Sequence, residues 1–293
     1  TRLGVLVSAA AYVFAPFHLV NLYVRGDSLS EFYAFVGYPL ILWSLDRLAD
    51  RHTDGDPALR RIVTASLAYG GLILTHNVSL LIFSPFALLY ALLRLRPQPL
   101  TWRTGIRTLL IAAAPFVLGM VLTAWFWVPA LVEVTYGQLG DAFTEGYFHY
   151  SRHFRGLNLI QPHPAFDYSV SGQIEGAGAF ATGLVQAGLA LLGSALIVVR
   201  TVKARASHQE SKAHPTTAGY LLLGLLVSTL MITPLSEPLW AHLPLLATTQ
   251  FPWRFLSIQA LFTAILTGSI VPPIAGDPTR AGQRSIRRIL GAV

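Results

Sequence analysis

The sequence predicts an all-α, polytopic membrane protein: a helical bundle with about eight transmembrane helices. Three observations predict it. Hydrophobic residues make up 53% of the chain and charged residues only 12%, and the mean hydropathy of +0.54 is far above that of a soluble domain. The apolar residues come in continuous blocks close to the ~20 residues that a helix needs to cross a bilayer. Those blocks do not alternate apolar with polar, as the strands of a membrane barrel would.

The blocks place spans in order at Leu3 to Leu22, Phe32 to Leu48, Ile62 to Thr75, Val78 to Leu93, Ile106 to Val132, Gly178 to Val199, Thr217 to Thr233 and Phe255 to Pro273. The third and fourth are short and joined only by His76 and Asn77, which suits a tight helical hairpin or a partly re-entrant pair. Residues 1–293 read as a single transmembrane domain. The chain opens at Thr1-Arg2 and enters a span at once, with no signal-peptide pattern, so it is expected to be a fragment of a longer protein.

Orientation follows from Lys and Arg, which stay on the cytoplasmic side of short loops. Alternating the spans puts every basic residue on one side except Arg25, Arg152, Arg155 and Arg254. The majority side is therefore cytoplasmic, and it includes the loop at 200–216 and the basic segment at 274–293. The net charge of +7 is explained by topology, without nucleic acid. Cysteine is absent, which excludes disulfides and thiolate-bound metals or clusters. The chain has no P-loop, dinucleotide fingerprint, HExxH or GxSxG motif.

The unusual chemistry falls on the other, extracytoplasmic face. NLYVRGDSLSEFYAF, residues 21–35, sets Arg25, Asp27 and Glu31 between two apolar blocks. Arg25 suits either a guanidinium anchored at the headgroups or a bidentate phosphate ligand. Glu31 opens the next helix, where a carboxylate meets the positive dipole end and Ser28 or Ser30 can cap. Six residues from Arg25, it can also orient that arginine or touch a sugar hydroxyl.

Thr75-His76-Asn77 forms a polar apex. A short turn explains Asn77 but asks nothing of an imidazole, so His76 is a candidate hydrogen-bond donor or proton carrier. FPWRF, residues 251–255, puts Trp253 and Arg254 at the outer mouth of the last span, where an interfacial anchor competes with a sugar-stacking ring beside a phosphate ligand. The outer loop at 133–177 carries Asp141, Glu145, Tyr147, Phe148, His149, Tyr150, Arg152 and His153. Its aromatics suit a sugar-lined groove, and its carboxylates either acid–base work or simple solvation. His149 and His153 have a helical metal-ligand spacing that no neighbouring carboxylate pattern completes.

The order APFHLVNLYVRGDSLSEF, LTHN, LGMVLTAWFWVPALVE, YFHYSRHF and FPWRF resembles the bacterial integral membrane proteins known as 6-pyruvoyl-tetrahydropterin-synthase-related, which belong with the GT-C superfamily of glycosyltransferases. The resemblance covers nearly the whole chain, and its most specific element is LYVRG followed by a Glu. It carries no pterin chemistry, since the histidine cluster of the soluble pterin enzyme is missing.

The resemblance implies a GT-C-like fold in the plasma (inner) membrane. It also implies transfer of a sugar from a polyprenyl-phosphate donor to a glycan, lipid or protein acceptor on the extracytoplasmic face. Arg25 and Arg254 become donor-phosphate ligands, Glu31, His76 and Asn77 positioning groups, and Trp253, Tyr147 and Arg152 substrate contacts. The catalytic carboxylate would lie upstream of Thr1. No nucleotide or flavin is needed, and a divalent metal is left open. Two rivals remain: a transporter or flippase for a lipid-linked sugar or polysaccharide, expected to show broken helices and charges at mid-membrane depth, and a noncatalytic scaffold in envelope assembly.

Overall fold

The computed structural model describes residues 1–26, 28–50, 57–97, 99–137, 145–161, 180–206 and 215–272. Helix makes up 82% of these and strand 2%. The chain divides into two compact units, Thr1–Phe32 with Ala142–Val293, and Tyr33–Asp141.

The first unit opens with α1 (Arg2–Val13) and α2 (Pro16–Tyr23). The single block expected at Leu3 to Leu22 is broken here, because Pro16 has no N–H to continue a helix and instead starts a new one at its first position. The two pieces are bent by 42°. α3 (Leu29–Ala49) begins in this unit and belongs to the second from Tyr33 onward.

After short turns at 146–159, β1 (Ile160–Gln161) pairs in parallel with β2 (Thr182–Gly183), Ile160 opposite Thr182. Four more helices belong to this unit besides the brief α11 (Pro244–Ala247): α8 (Leu184–Ala206), α9 (Pro215–Leu230), α10 (Glu237–His242) and α12 (Leu256–Gly268). Between α9 and α10 the axis turns by 96°.

All 13 residues of α12 are buried, so this helix is the core of the unit, and α1, α8 and α9 pack on it. Small residues permit the approach. A Cβ on Gly4 would stand 2.8 Å from the carbonyl oxygen of Gly268, and one on Gly193 would overlap the carbonyl of Leu266, the close backbone contact that small residues allow between membrane helices. Gln259 is the polar tie in this apolar core. It accepts from Thr182 Oγ1 at 2.6 Å and donates to Thr229 Oγ1 at 2.8 Å, joining β2 to α9 through α12.

The second unit contains the rest of α3, then α4 (Ala58–Thr75), α5 (Asn77–Leu95), α6 (Trp102–Leu122) and α7 (Ala124–Glu133). Here α4 and α6 meet where a Cβ on Gly119 would lie 2.9 Å from the Tyr69 ring. Tyr38 stacks on Phe83 at 4.4 Å. Asp46, 1% exposed, is held by Arg94 Nη2 at 2.5 Å and receives the Tyr90 hydroxyl at 3.3 Å. The block expected from Ile106 to Val132 is divided at Thr123, whose backbone and hydroxyl both bond back to Gly119.

Fewer spans are supported than the eight expected. Among the described residues three helices are long and apolar enough to cross a membrane: Asn77–Leu95, Trp102–Leu122 and Leu184–Ala204. The number is five if each bent pair, Arg2–Val13 with Pro16–Tyr23 and Thr216–Leu230 with Pro234–His242, is one span. The shortfall has visible causes. α12 has only 13 residues, about 20 Å of helix, α4 carries Arg60 and Arg61 in its first turn, and α3 carries Glu31, Asp46 and Arg47.

Candidate functional site

The five-residue connection between α2 and α3 brings Arg25 to Glu31 in the first turn of α3. Arg25 Nη1 is 2.6 Å from Glu31 Oε2, to which the Ser28 hydroxyl also donates at 3.1 Å. Ser28 thus binds the Glu31 carboxylate, while the sequence suggested it as a helix cap. Glu31 is 1% exposed and Arg25 12%. From the far end of the chain, Arg254 Nε comes within 3.8 Å of Glu31 Oε1. Its Nη1 donates to the Thr249 carbonyl at 3.1 Å, and Gln250 beside it takes a positive φ of 67°, a left-handed turn that is costly for a non-glycine residue.

Aromatic rings form the floor. Trp253 lies flat between Phe180, at 3.9 Å and 9°, and Phe251, at 4.8 Å and 19°. The Arg25 guanidinium sits 4.8 Å from the Trp253 ring and 5.7 Å from Phe180, and that of Arg254 5.2 Å from Phe251. Guanidinium over aromatic faces is favourable, more so away from water. Trp253 is 2% exposed: the ring expected to stack on a sugar is packed against Phe180 and Phe251 and lies beneath the Arg25 guanidinium.

The basic residues that break the charge bias are the informative ones. Of Arg25, Arg152, Arg155 and Arg254, three meet this aromatic stack. Arg155 is 6% exposed and donates from Nε to the carbonyl of Phe180 at 3.3 Å. Arg152, expected to contact substrate, is exposed. Arg155 carried a signal in the sequence, its expected place on the side that few arginines occupy, although the motifs did not single it out. Asn21, one turn before Arg25, is fully buried, and neither of its amide atoms is hydrogen-bonded among the described residues.

The aromatic loop packs against the same floor. Tyr147 is half exposed and meets the Phe251 ring edge-on at 6.4 Å. His153, 1% exposed, lies 4.7 Å from Phe251, and its Nε2 donates to the Tyr147 carbonyl at 2.5 Å. That bond fixes the tautomer, leaving Nδ1 as a buried acceptor without a hydrogen bond among the described residues. Burial holds the His153 pKa below the usual imidazole value, and the nearby Arg155, Arg152 and His149 push the same way against the Tyr147 carbonyl. Burial likewise lowers Arg155 from the usual guanidinium range.

His149 and His153 do not converge as a metal pair. His149 Nδ1 is engaged with Ser151 Oγ at 2.8 Å, and among the described residues no group of three His, Cys, Asp or Glu could hold a metal. Glu145 is exposed; Asp27 and Asp141 lie outside the described residues.

His76 and Asn77 belong to the second unit. His76 is the N-cap of α5: its Nδ1 accepts from the Ser79 backbone at 3.2 Å and lies 2.8 Å from Ser79 Oγ. The turn does use an imidazole, which the sequence reading missed. Asn77 is the exposed first residue of α5. Comparison with protein-family models, with curated proteins and with solved structures returned no match.

Proposed function

We propose that the chain is the membrane part of a GT-C-type glycosyltransferase that takes its sugar from a polyprenyl phosphate and delivers it outside the membrane. The observation that carries this reading is the meeting of Arg25 and Arg254 on the single carboxylate of Glu31, buried over an aromatic floor. Among the described residues two cations meet one anion, a positive balance that a lipid phosphate would neutralise, and guanidinium forks match phosphate oxygens. As the glycosidic bond lengthens toward an oxocarbenium-like state, negative charge grows on the departing phosphate, and cations fixed beforehand stabilise that growth.

On this reading residues 1–293 form one transmembrane domain in the plasma (inner) membrane, its apolar helices cross it in a GT-C-like bundle, and residues 133–177 face the acceptor outside. Glu31 holds the two arginines in place. Tyr147 remains a substrate contact, and the donor, a membrane lipid, reaches the site laterally. The acceptor is a glycan, lipid or protein.

Native mass spectrometry of the full-length protein extracted with its lipids tests this, with Arg25→Ala and Arg254→Ala alongside. A polyprenyl phosphate or its glycoside on the wild type, lost from both variants, supports the reading; equal retention by the variants overturns it.

A transporter of the same lipid is the second reading, favoured by the two bent helix pairs, at 42° and 96°, since broken helices are a feature of transporter sites. Movement of a fluorescent lipid-linked sugar between leaflets of proteoliposomes would select it.

A further inference from the structure

Arg155 is a buried cation that the proposed reading leaves unused. Its backbone N–H donates to the Ile232 carbonyl at 2.9 Å, which ties its Cα to the segment after α9. Its Nε holds the Phe180 carbonyl, and the Phe180 ring is one of the two beneath Arg25. Nη2 is buried with no hydrogen-bond partner among the described residues, and no ion pair to a described carboxylate forms. A desolvated guanidinium without a counter-charge is costly, and the nearest remedy is an anion.

Arg25 and Arg254 thus lie over rings of the Phe180, Trp253 and Phe251 stack, and Arg155 holds the backbone of one of those rings, with Glu31 as the described carboxylate that opposes them. Among the described residues these three guanidinia and one carboxylate leave two net positive charges. We propose that Arg155 is a third phosphate-binding residue, and that with it the site favours a phosphate monoester dianion over a singly charged phosphodiester. This rests on the donor reading.

In that reaction the bond from the anomeric carbon to the phosphate oxygen breaks, and its electron pair stays on the oxygen. The acceptor hydroxyl oxygen bonds to the anomeric carbon and gives its proton to a carboxylate base. The phosphate thus goes from one negative charge to two, and a cation matched to the second charge binds the departing group more tightly than the bound donor. That difference accelerates the reaction.

The test uses full-length protein in nanodiscs and two probes, a short-chain prenyl monophosphate and its methyl diester. At pH 8 the monoester is fully dianionic, its second pKa being about 6. Wild type is expected to prefer the monoester, and its monoester affinity to rise as pH passes upward through about 6. Arg155→Gln should weaken the monoester about tenfold or more, in line with a charge-assisted hydrogen bond, while the diester changes little; Arg155→Lys should keep most of the preference.

Equal weakening of both probes by Arg155→Gln, or no change in either, overturns the proposal. So does a flat pH profile in wild type, which needs no variant to fold. If wild type binds neither probe, the donor reading falls with it. If wild type binds both with a preference that Arg155→Gln preserves, only the role of Arg155 is lost.

Discussion

Arg254 Nε lies 3.8 Å from Glu31 Oε1, so a residue that opens one helix near the start of the chain and a residue at the mouth of the last described helix share one carboxylate. Arg25 occupies the other oxygen at 2.6 Å. Among the described residues, Glu31 is therefore the carboxylate that both guanidinium groups share.

Glu31→Gln should destabilise the protein by about 3 kcal/mol, the scale of stranding a buried charge by removing its partner. Thermal unfolding in nanodiscs reads this out. Adding Arg254→Met to Glu31→Gln should recover part of the loss, because one stranded charge goes with its partner; a double variant weaker than the single would contradict the shared-carboxylate account.

On the proposed reading, Arg25→Ala in the full-length protein should abolish sugar transfer while leaving membrane insertion intact, since that reading puts Arg25 outside the cytoplasmic charges that set topology. Activity within a few-fold of wild type would remove the donor-phosphate role. Arg25→Lys should fall between, because an ammonium keeps the charge without the fork.

A reporter fused after Glu145 should face outward and one after Ala206 inward. Reversed reporters would overturn the orientation and with it the placement of the site.

His153 gives a pH dependence of definite sign. Folded, its pKa is lowered by burial; unfolded, it returns to about 6.5. The full stability is present above about 6.5. As pH falls below that value the unfolded chain takes up a proton that the folded one resists, and stability is lost. Hydrogen exchange across residues 145–161, corrected for intrinsic rates, should be faster at pH 5.5 than at pH 7.5 in wild type, and His153→Gln should remove most of that difference.

Gly193→Ala should cost about 1–3 kcal/mol, as overpacking does, because its Cβ would run into the Leu266 carbonyl. Gly188→Ala on the same helix meets nothing within 4 Å and should be neutral or stabilising by up to about 1 kcal/mol through helix propensity. Equal effects in thermal unfolding would mean that α8 does not press on α12.

Much of the helical order was legible because apolar blocks and polar apices are local signals. The turn at His76 and the helices on either side fall within a few residues of where the sequence put them. The breaks at Pro16 and Thr123 were not legible, since a proline at the first helical position and a hydroxyl bonding back to its own helix leave the apolar pattern unbroken.

In the site, Arg25 and Glu31 were visible through their spacing, and Arg254 through its company with Trp253. Phe180 was invisible. Its stacking on Trp253 joins segments far apart in the chain, and no periodicity reports such a contact. The same holds for Arg155, whose partner carbonyl belongs to Phe180.

The burial of α12 on every side bears on biogenesis. α1 is made early and its packing surface is α12, the last described helix to be synthesised. Until that helix leaves the ribosome, α1, α8 and α9 have no common partner, and Trp253 and Arg254, just ahead of it, have not reached Arg25. The cation cluster is thus completed only once the segment ahead of α12 has been made.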